Sequence, residues 1–155
     1  MVGNTRRQIM IRNTINAPSR VGHIKAGGIG YRCDRKSVLG NPFDMRAERD
    51  RPLVCKAFRH YLYRVAVMRQ CPNEAASAIA KELALVIARA WINPPRADFM
   101  AALQYLEDRP ATRLLCWCHP KQCHCESIER YLVWRCHVRN HGLLVICSSQ
   151  NEQFG

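Results

Sequence analysis

Ten consecutive residues, Cys116-Trp117-Cys118-His119-Pro120-Lys121-Gln122-Cys123-His124-Cys125, constrain this chain more than any other stretch. They contain four of its nine cysteines and two of its six histidines. An apolar, β-compatible run over residues 112–118 overlaps their start, and helical spacing of Ile128, Tyr131, Leu132 and Trp134 follows them. The expected local structure is therefore strand, loop, helix, with the ligand-bearing side chains in the loop. Such a loop has two chemical uses. It can gather soft donors round a metal, or a reactive thiol and imidazole round a substrate. The plain alternative is packing, with the cysteines as small apolar side chains at a strand end.

The remaining pattern predicts alternating strands and helices. Short strands are expected over residues 8–13, 21–24, 31–33 and 143–147. Gly27, Gly28 and Gly30 lack the Gly-x-Gly-x-x-Gly spacing of a dinucleotide fingerprint and read as a turn. Leu53, Val54, Ala57, Phe58, Tyr61, Leu62, Val65 and Ala66 mark one face of a helix, with Asp50 as N-cap and Pro52 in the first turn. A second, well-buried helix is expected from Ala75 to about Trp91, stopped by Asn93-Pro94-Pro95, and a third carries Phe99, Leu103 and Leu106. This order predicts a small three-layer α/β, Rossmann-like domain with a mostly parallel sheet. It should span residues 1–149, leaving 150–155 as a frayed tail. In such sheets the ligand crevice lies beyond the carboxyl ends of the strands.

Charge narrows the partners. The chain carries a formal +12, and the first 60 residues hold 13 Lys/Arg against 4 Asp/Glu. That asymmetry attracts phosphorylated ligands and predicts weak, non-specific, salt-sensitive nucleic-acid binding. No apolar run is long enough to span a membrane. The N-terminal residues do not form a secretory signal, so a cytoplasmic location is expected. An odd number of cysteines cannot all pair internally, which argues for reduced thiols or metal ligation.

A second motif, Leu39-Gly40-Asn41-Pro42-Phe43, precedes the Tyr61-Leu62 helix, and the Leu114-Leu115-Cys116-Trp117-Cys118-His119-Pro120 and Cys123-His124 segments come later. In this order the motifs resemble the domain-of-unknown-function 4326 family of bacteria and phages, over roughly residues 31–131. The resemblance implies a cytoplasmic protein of a bacterium or a phage-infected host, and assigns no reaction. The family pattern places an arginine before Leu-Gly-Asn-Pro-Phe, a role that Arg32 or Arg35 would fill here. It ends Cys-His-Gly-Asp, where this chain has Cys123-His124-Cys125-Glu126. The acid is kept one methylene longer and the glycine is lost.

Two functional readings follow. In the first, the protein binds or acts on a nucleotide-like or phosphorylated small molecule in a crevice between residues 40–43 and 116–126. Cys123, His124 and Glu126 would be the catalytic groups, with the thiol activated at a helix N-terminus and Glu126 as base or ribose holder. Arg32, Arg35, Gly40, Asn41 and Cys118 would contact the ligand. In the second, Cys116, Cys118, Cys123 and Cys125 close a tetrahedral site, zinc is the cofactor, and a basic module binds nucleic acid or a protein partner. The family pattern lacks the fourth cysteine, so in the family His124 or the acid would have to replace it.

Overall fold

The computed structural model describes residues 18–141; the strands expected over residues 8–13 and 143–147, and the tail from 150, lie outside them. Three parallel strands form one sheet: β1 (Val21–His23), β2 (Gly30–Arg32) and β3 (Arg113–Cys116). The order β1-β3-β2 puts β3 in the middle, and Leu114 pairs with Val21 on one side and Tyr31 on the other. Four helices complete a small parallel α/β fold: α1 (Arg51–Ala66), α2 (Pro72–Leu83), α3 (Arg96–Glu107) and α4 (Cys125–His141). Among the described residues no helix is long and apolar enough to cross a membrane.

Strand length explains an unusual connection. A parallel crossover ordinarily takes a dozen or more residues, yet residues 24–29 suffice between β1 and β2. Each of these strands has only three residues, about 10 Å, so the return path is short. One 3₁₀ turn, Ile24–Ala26, begins it, and Gly27 and Gly28 finish it at φ values of 75° and 109°. Side chains are penalised in that region, so these glycines serve the turn.

The core gathers where α1 meets the other helices. Val54, Ala57, Phe58, Tyr61, Leu62 and Val65 are buried on the face that the periodicity marks, while Leu53, expected on it, is exposed in the first turn. Tyr61 is its centre: the rings of Phe99, Phe58, Trp91 and Phe43 lie 5.6, 5.8, 6.1 and 6.4 Å from its own. Three of those contacts are edge-to-face, the arrangement that aromatic quadrupoles favour. Asp50 precedes α1 as expected, but its carboxylate does not cap the helix. It accepts instead from the Ala47 N–H at 3.0 Å, closing the 3₁₀ turn that leads in. On the far side, the Arg20 guanidinium donates to the carbonyls of Leu106, Arg109 and Thr112, tying the start of β1 to the end of α3. Leu106 O and Arg109 O also accept from the backbone N–H groups of Arg109 and Thr112, so Arg20 adds a further donor to each.

The second helix is shorter than expected. It ends at Leu83 rather than near Trp91, because Ala84 turns left-handed at φ 51° and its N–H bonds back to Ala80. The following residues are claimed by a different partner. Asp44 N–H donates to Val86 O at 2.8 Å and Ala88 N–H to Pro42 O at 2.7 Å, so Ile87 bridges antiparallel to Phe43. Two strong backbone bonds to a distant loop outweigh a local helix preference of a few tenths of a kcal/mol per residue. The clearest expected strand is also shorter, ending at Cys116, so Cys118 sits in the loop and the alternation argument does not reach it. The last described helix extends on both sides of the Ile128-to-Trp134 spacing that predicts it, from Cys125 to His141.

The left-handed Ala84 leads to the first prediction. An L-residue there costs roughly 1–2 kcal/mol, part of which glycine recovers, less its greater unfolded-state freedom. Ala84→Gly should stabilise the fold by up to ~1 kcal/mol, seen as a higher urea midpoint at unchanged slope. An unchanged or lower midpoint would mean that α2 does not end at this residue.

Candidate metal centre

The loop leaves β3 at Cys116 and enters α4 at Cys125, so its ends are fixed by the sheet and by a helix. Between them, Cys116, Cys123, His124 and Cys125 bring their Sγ and nitrogen atoms within 4.8 Å of one another, and all four are buried. His124 is the ordering element. Its Nε2 lies 2.6 Å from the Cys33 carbonyl, and a carbonyl only accepts, so Nε2 carries the proton. The lone pair then belongs to Nδ1 in the neutral ring. Nδ1 faces the sulfurs of Cys123 and Cys116 at 3.8 and 3.9 Å. A metal-ligating histidine typically donates its other N–H to a carbonyl or carboxylate, which fixes tautomer and ring orientation. The Phe58 ring, 4.7 Å away and near perpendicular, packs against the imidazole from α1.

The His124 Nδ1 distances to Cys123 and Cys116 Sγ, 3.8 and 3.9 Å, lie close to the edge of a tetrahedral site, and all four donors lie within 4.8 Å. With Zn–S near 2.3 Å and Zn–N near 2.0–2.1 Å, the edges of the tetrahedron are roughly 3.6 Å for S···N and about 3.8 Å for S···S. Three of the donors are consecutive, denser than the Cys-x2–4-Cys of zinc fingers. The chain accommodates this because the backbone turns at Cys123: its sulfur accepts from the Cys125 N–H at 3.5 Å. Hydrogen bonds to sulfur favour the thiolate. The Glu126 carboxylate adds a second restraint, accepting from the Cys123 N–H at 3.0 Å as the returning half of a capping box.

The charges of the cluster are shared. Hydrogen bonds from Cys118, Cys123 and Cys125 hold the Cys116 thiol far below the ordinary range. The Cys116 sulfur pushes Cys123 up, but its bonds with Cys118 and Cys125 prevail and bring it down to about 5. Cys118 and Cys125 move the other way, raised chiefly by Cys116 and then Cys123. Burial opposes a charge on His124, yet the sulfurs of Cys116 and Cys123 raise its pKa well above the usual imidazole value. These shifts share one cause, the mutual contact of the sulfurs and the imidazole. A divalent cation would favour the thiolate forms and take the Nδ1 lone pair in place of a proton.

Cys118 stands at the edge of this group. It is half-buried, near enough to interact with Cys116 and Cys123, and it also faces the Arg51 guanidinium. The expected set of four cysteines is thus present as neighbours, while His124 takes the place of Cys118 in the tightest quartet. The family pattern already makes His124 a candidate ligand, but not in place of Cys118, because Cys33 O and Phe58, which orient His124, are 91 and 66 positions away.

The other site candidates have structural partners of their own. Gly40 and Asn41 are buried, and Asn41 Oδ1 accepts from the Phe43 N–H at 3.0 Å, an Asx turn. Arg35 donates to Phe43 O at 2.9 Å and pairs with Asp44 at 3.4 Å, so it ties down the same loop. Arg32 pairs with Asp34 at the carboxyl end of β2. Asp34 also accepts from Trp117 Nε1 at 3.2 Å, and Trp117 is 49% exposed, beside His23 and Lys25. The cavity nearest the cluster opens between α1 and the start of α4; Cys123 and Glu126 are among its walls, and Gly40, Asn41, Arg32 and Arg35 are not.

The fold and site together define a small parallel α/β protein with a buried Cys/His cluster at the strand-end loop. Its residues 20–134 match the family described as domain of unknown function (DUF4326), and the chain belongs to that family. Both motifs lie inside the matched span, and no curated protein or solved structure matches.

Gly40 has a packing explanation that can be checked. A Cβ there would fall 2.5 Å from Asp34 O and 2.7 Å from Arg35 Cα, both backbone atoms. Gly40→Ala should therefore destabilise by ~1–3 kcal/mol, as overpacking does, measured by urea denaturation. A neutral change would mean that the Asp34–Arg35 turn yields easily.

Proposed function

We propose that this protein is a zinc-stabilised basic domain whose ligands carry phosphate groups. The observation that carries the zinc reading is the quartet of Cys116, Cys123, His124 and Cys125, with the Nε2–H of His124 committed to Cys33 O. Three thiols and an imidazole suit zinc among common metals, being borderline-soft ligands. Four buried protein donors leave no position for substrate, which is the pattern of a structural rather than a catalytic ion. The ion would lock β3 to α4 and fix the loop between them. A nucleophilic role for Cys123 with His124 as base has less support, since Cys123 is 2% exposed and both His124 nitrogens face protein partners. The phosphate reading rests on the +12 charge and its concentration in the first 60 residues.

Purified protein should contain one zinc per chain by elemental analysis. Cys116→Ser, Cys123→Ser, Cys125→Ser and His124→Ala should each lose the ion and most of the folded population, because structural zinc contributes on the order of 10 kcal/mol in small modules. Cys118→Ser should retain it. Stable, metal-free wild-type protein would sink the zinc reading; loss of zinc in Cys118→Ser but not in Cys125→Ser would move the fourth ligand to Cys118. For the phosphate reading, affinity for a random DNA duplex should fall steeply as salt rises, and salt-insensitive binding would count against it.

A further inference from the structure

The cavity between α1 and α4 has a volume of about 260 Å³. Lys56 and Arg59 line it from α1, three residues apart and so on one helical face, and Glu126, Ser127 and Arg130 line it from α4. We propose that this cavity binds the phosphate group of a small phosphomonoester. The assignment rests on the reading of the domain as a binder of phosphate-bearing ligands, and it gives that reading a place and a ligand class.

Three observations carry it. First, the cations here are uncommitted. Arg32, Arg35, Arg51, Arg64, Arg135 and Arg139 each reach a carboxylate elsewhere. Lys56, Arg59 and Arg130 have no ion pair, as is also true of Lys36, Arg46, Lys81 and Arg89 among the described residues; what sets the three apart is that they line one cavity with Glu126 on its wall. Arg59 lines the cavity from α1, and its Nε is enclosed by protein without a hydrogen-bond partner, so a ligand would meet its terminal N–H groups. Two parallel N–H···O bonds to a phosphate are what that planar fork suits.

Second, the charges match. Three cations against the Glu126 carboxylate leave an excess of two positive charges. One Glu126 oxygen is already held by the Cys123 N–H, which keeps it close to the protein backbone. A phosphomonoester carries about −1.5 to −2 at neutral pH, against −1 for each phosphodiester of a nucleic acid. The balance therefore favours a terminal phosphate over a nucleic-acid backbone. Third, size sets an upper limit. Pockets for drug-sized ligands run to roughly 300–1,000 Å³, so this one suits a sugar phosphate and is too small for a dinucleotide.

The cavity also depends on the metal centre. Cys123 is on its wall and in the quartet, and the Arg51 guanidinium holds the adjoining Gln122 carbonyl at 3.0 Å. The loop that the ion would fix thus forms one side of the site.

The test is calorimetric titration of zinc-loaded, full-length protein with ribose 5-phosphate, inorganic phosphate and a short DNA duplex. Wild type should bind ribose 5-phosphate saturably. Arg59→Ala and Arg130→Ala should each weaken it at least about tenfold, the loss expected when one charge-assisted contact is removed. Lys81→Ala, which removes a cation from the exposed face of α2 outside the cavity, should bind as wild type does. Zinc content and circular dichroism of each variant separate loss of the site from loss of the fold.

If wild type binds ribose 5-phosphate and folded Arg59→Ala and Arg130→Ala bind it equally well, the cavity is not the site, while the phosphate reading stands. Abolition of binding by Arg32→Ala alone would place the ligand at the strand ends instead and overturn the assignment. Binding of the duplex without either phosphate probe would reject the phosphomonoester and leave a nucleic-acid partner. Binding of none of the three would end both this inference and the phosphate reading.

Discussion

The fold closes around one imidazole. His124 donates to the Cys33 carbonyl just beyond β2, faces Cys116 at the end of β3, meets the Phe58 ring of α1, and lies at the entry of α4. Four separate parts of the chain are thus joined through a single buried side chain. A buried polar group is tolerable only when its partners are complete, so those parts cannot shift independently. The strands that the imidazole helps to hold are three or four residues long and could not by themselves secure the sheet.

This arrangement gives the cysteine-rich loop and the Leu39–Phe43 segment different duties. The loop supplies donors. The segment is scaffolding: Phe43 fills the space beside Tyr61, Pro42 and Asp44 exchange backbone bonds with residues 86–88, and Gly40 admits the Asp34–Arg35 turn. That turn leads back to Cys33, whose carbonyl orients His124. The two motifs are therefore connected through the backbone of residues 33–35. Asp34 reinforces the link, taking Arg32 from β2 and Trp117 from the loop after β3.

Glu126 shows how a single residue can be assigned from chemistry and still have a more local duty. An acid beside a thiol and an imidazole invites a general-base reading. In the fold its carboxylate holds the Cys123 N–H, which steadies the turn that brings Cys123 and Cys125 together. A carboxylate in the first turn of a helix, three residues after the backbone N–H it holds, has that option whatever its surroundings. The loss of the family glycine at Cys125 has a similar reading: the position is enclosed, and a cysteine there joins the quartet.

By itself the sequence determined the parallel α/β class, the buried face of α1, the turn at Gly27-Gly28, the family, and the strand-loop-helix setting of the cysteines. Each of these depends on neighbours within a few residues, through periodicity, turn chemistry or ligand density. Tertiary structure alone decided the rest. Helix α2 stops at Leu83 because residues 86–88 bond to a loop more than forty positions earlier. His124 displaces Cys118 from the tightest quartet because Cys33 and Phe58 reach it from other elements. Lys56, Arg59 and Arg130 share a cavity only once α1 and α4 pack together. Local spacing carries information about which residues share a face; it carries none about which distant backbone atom will satisfy a buried polar group, and that choice shaped this site.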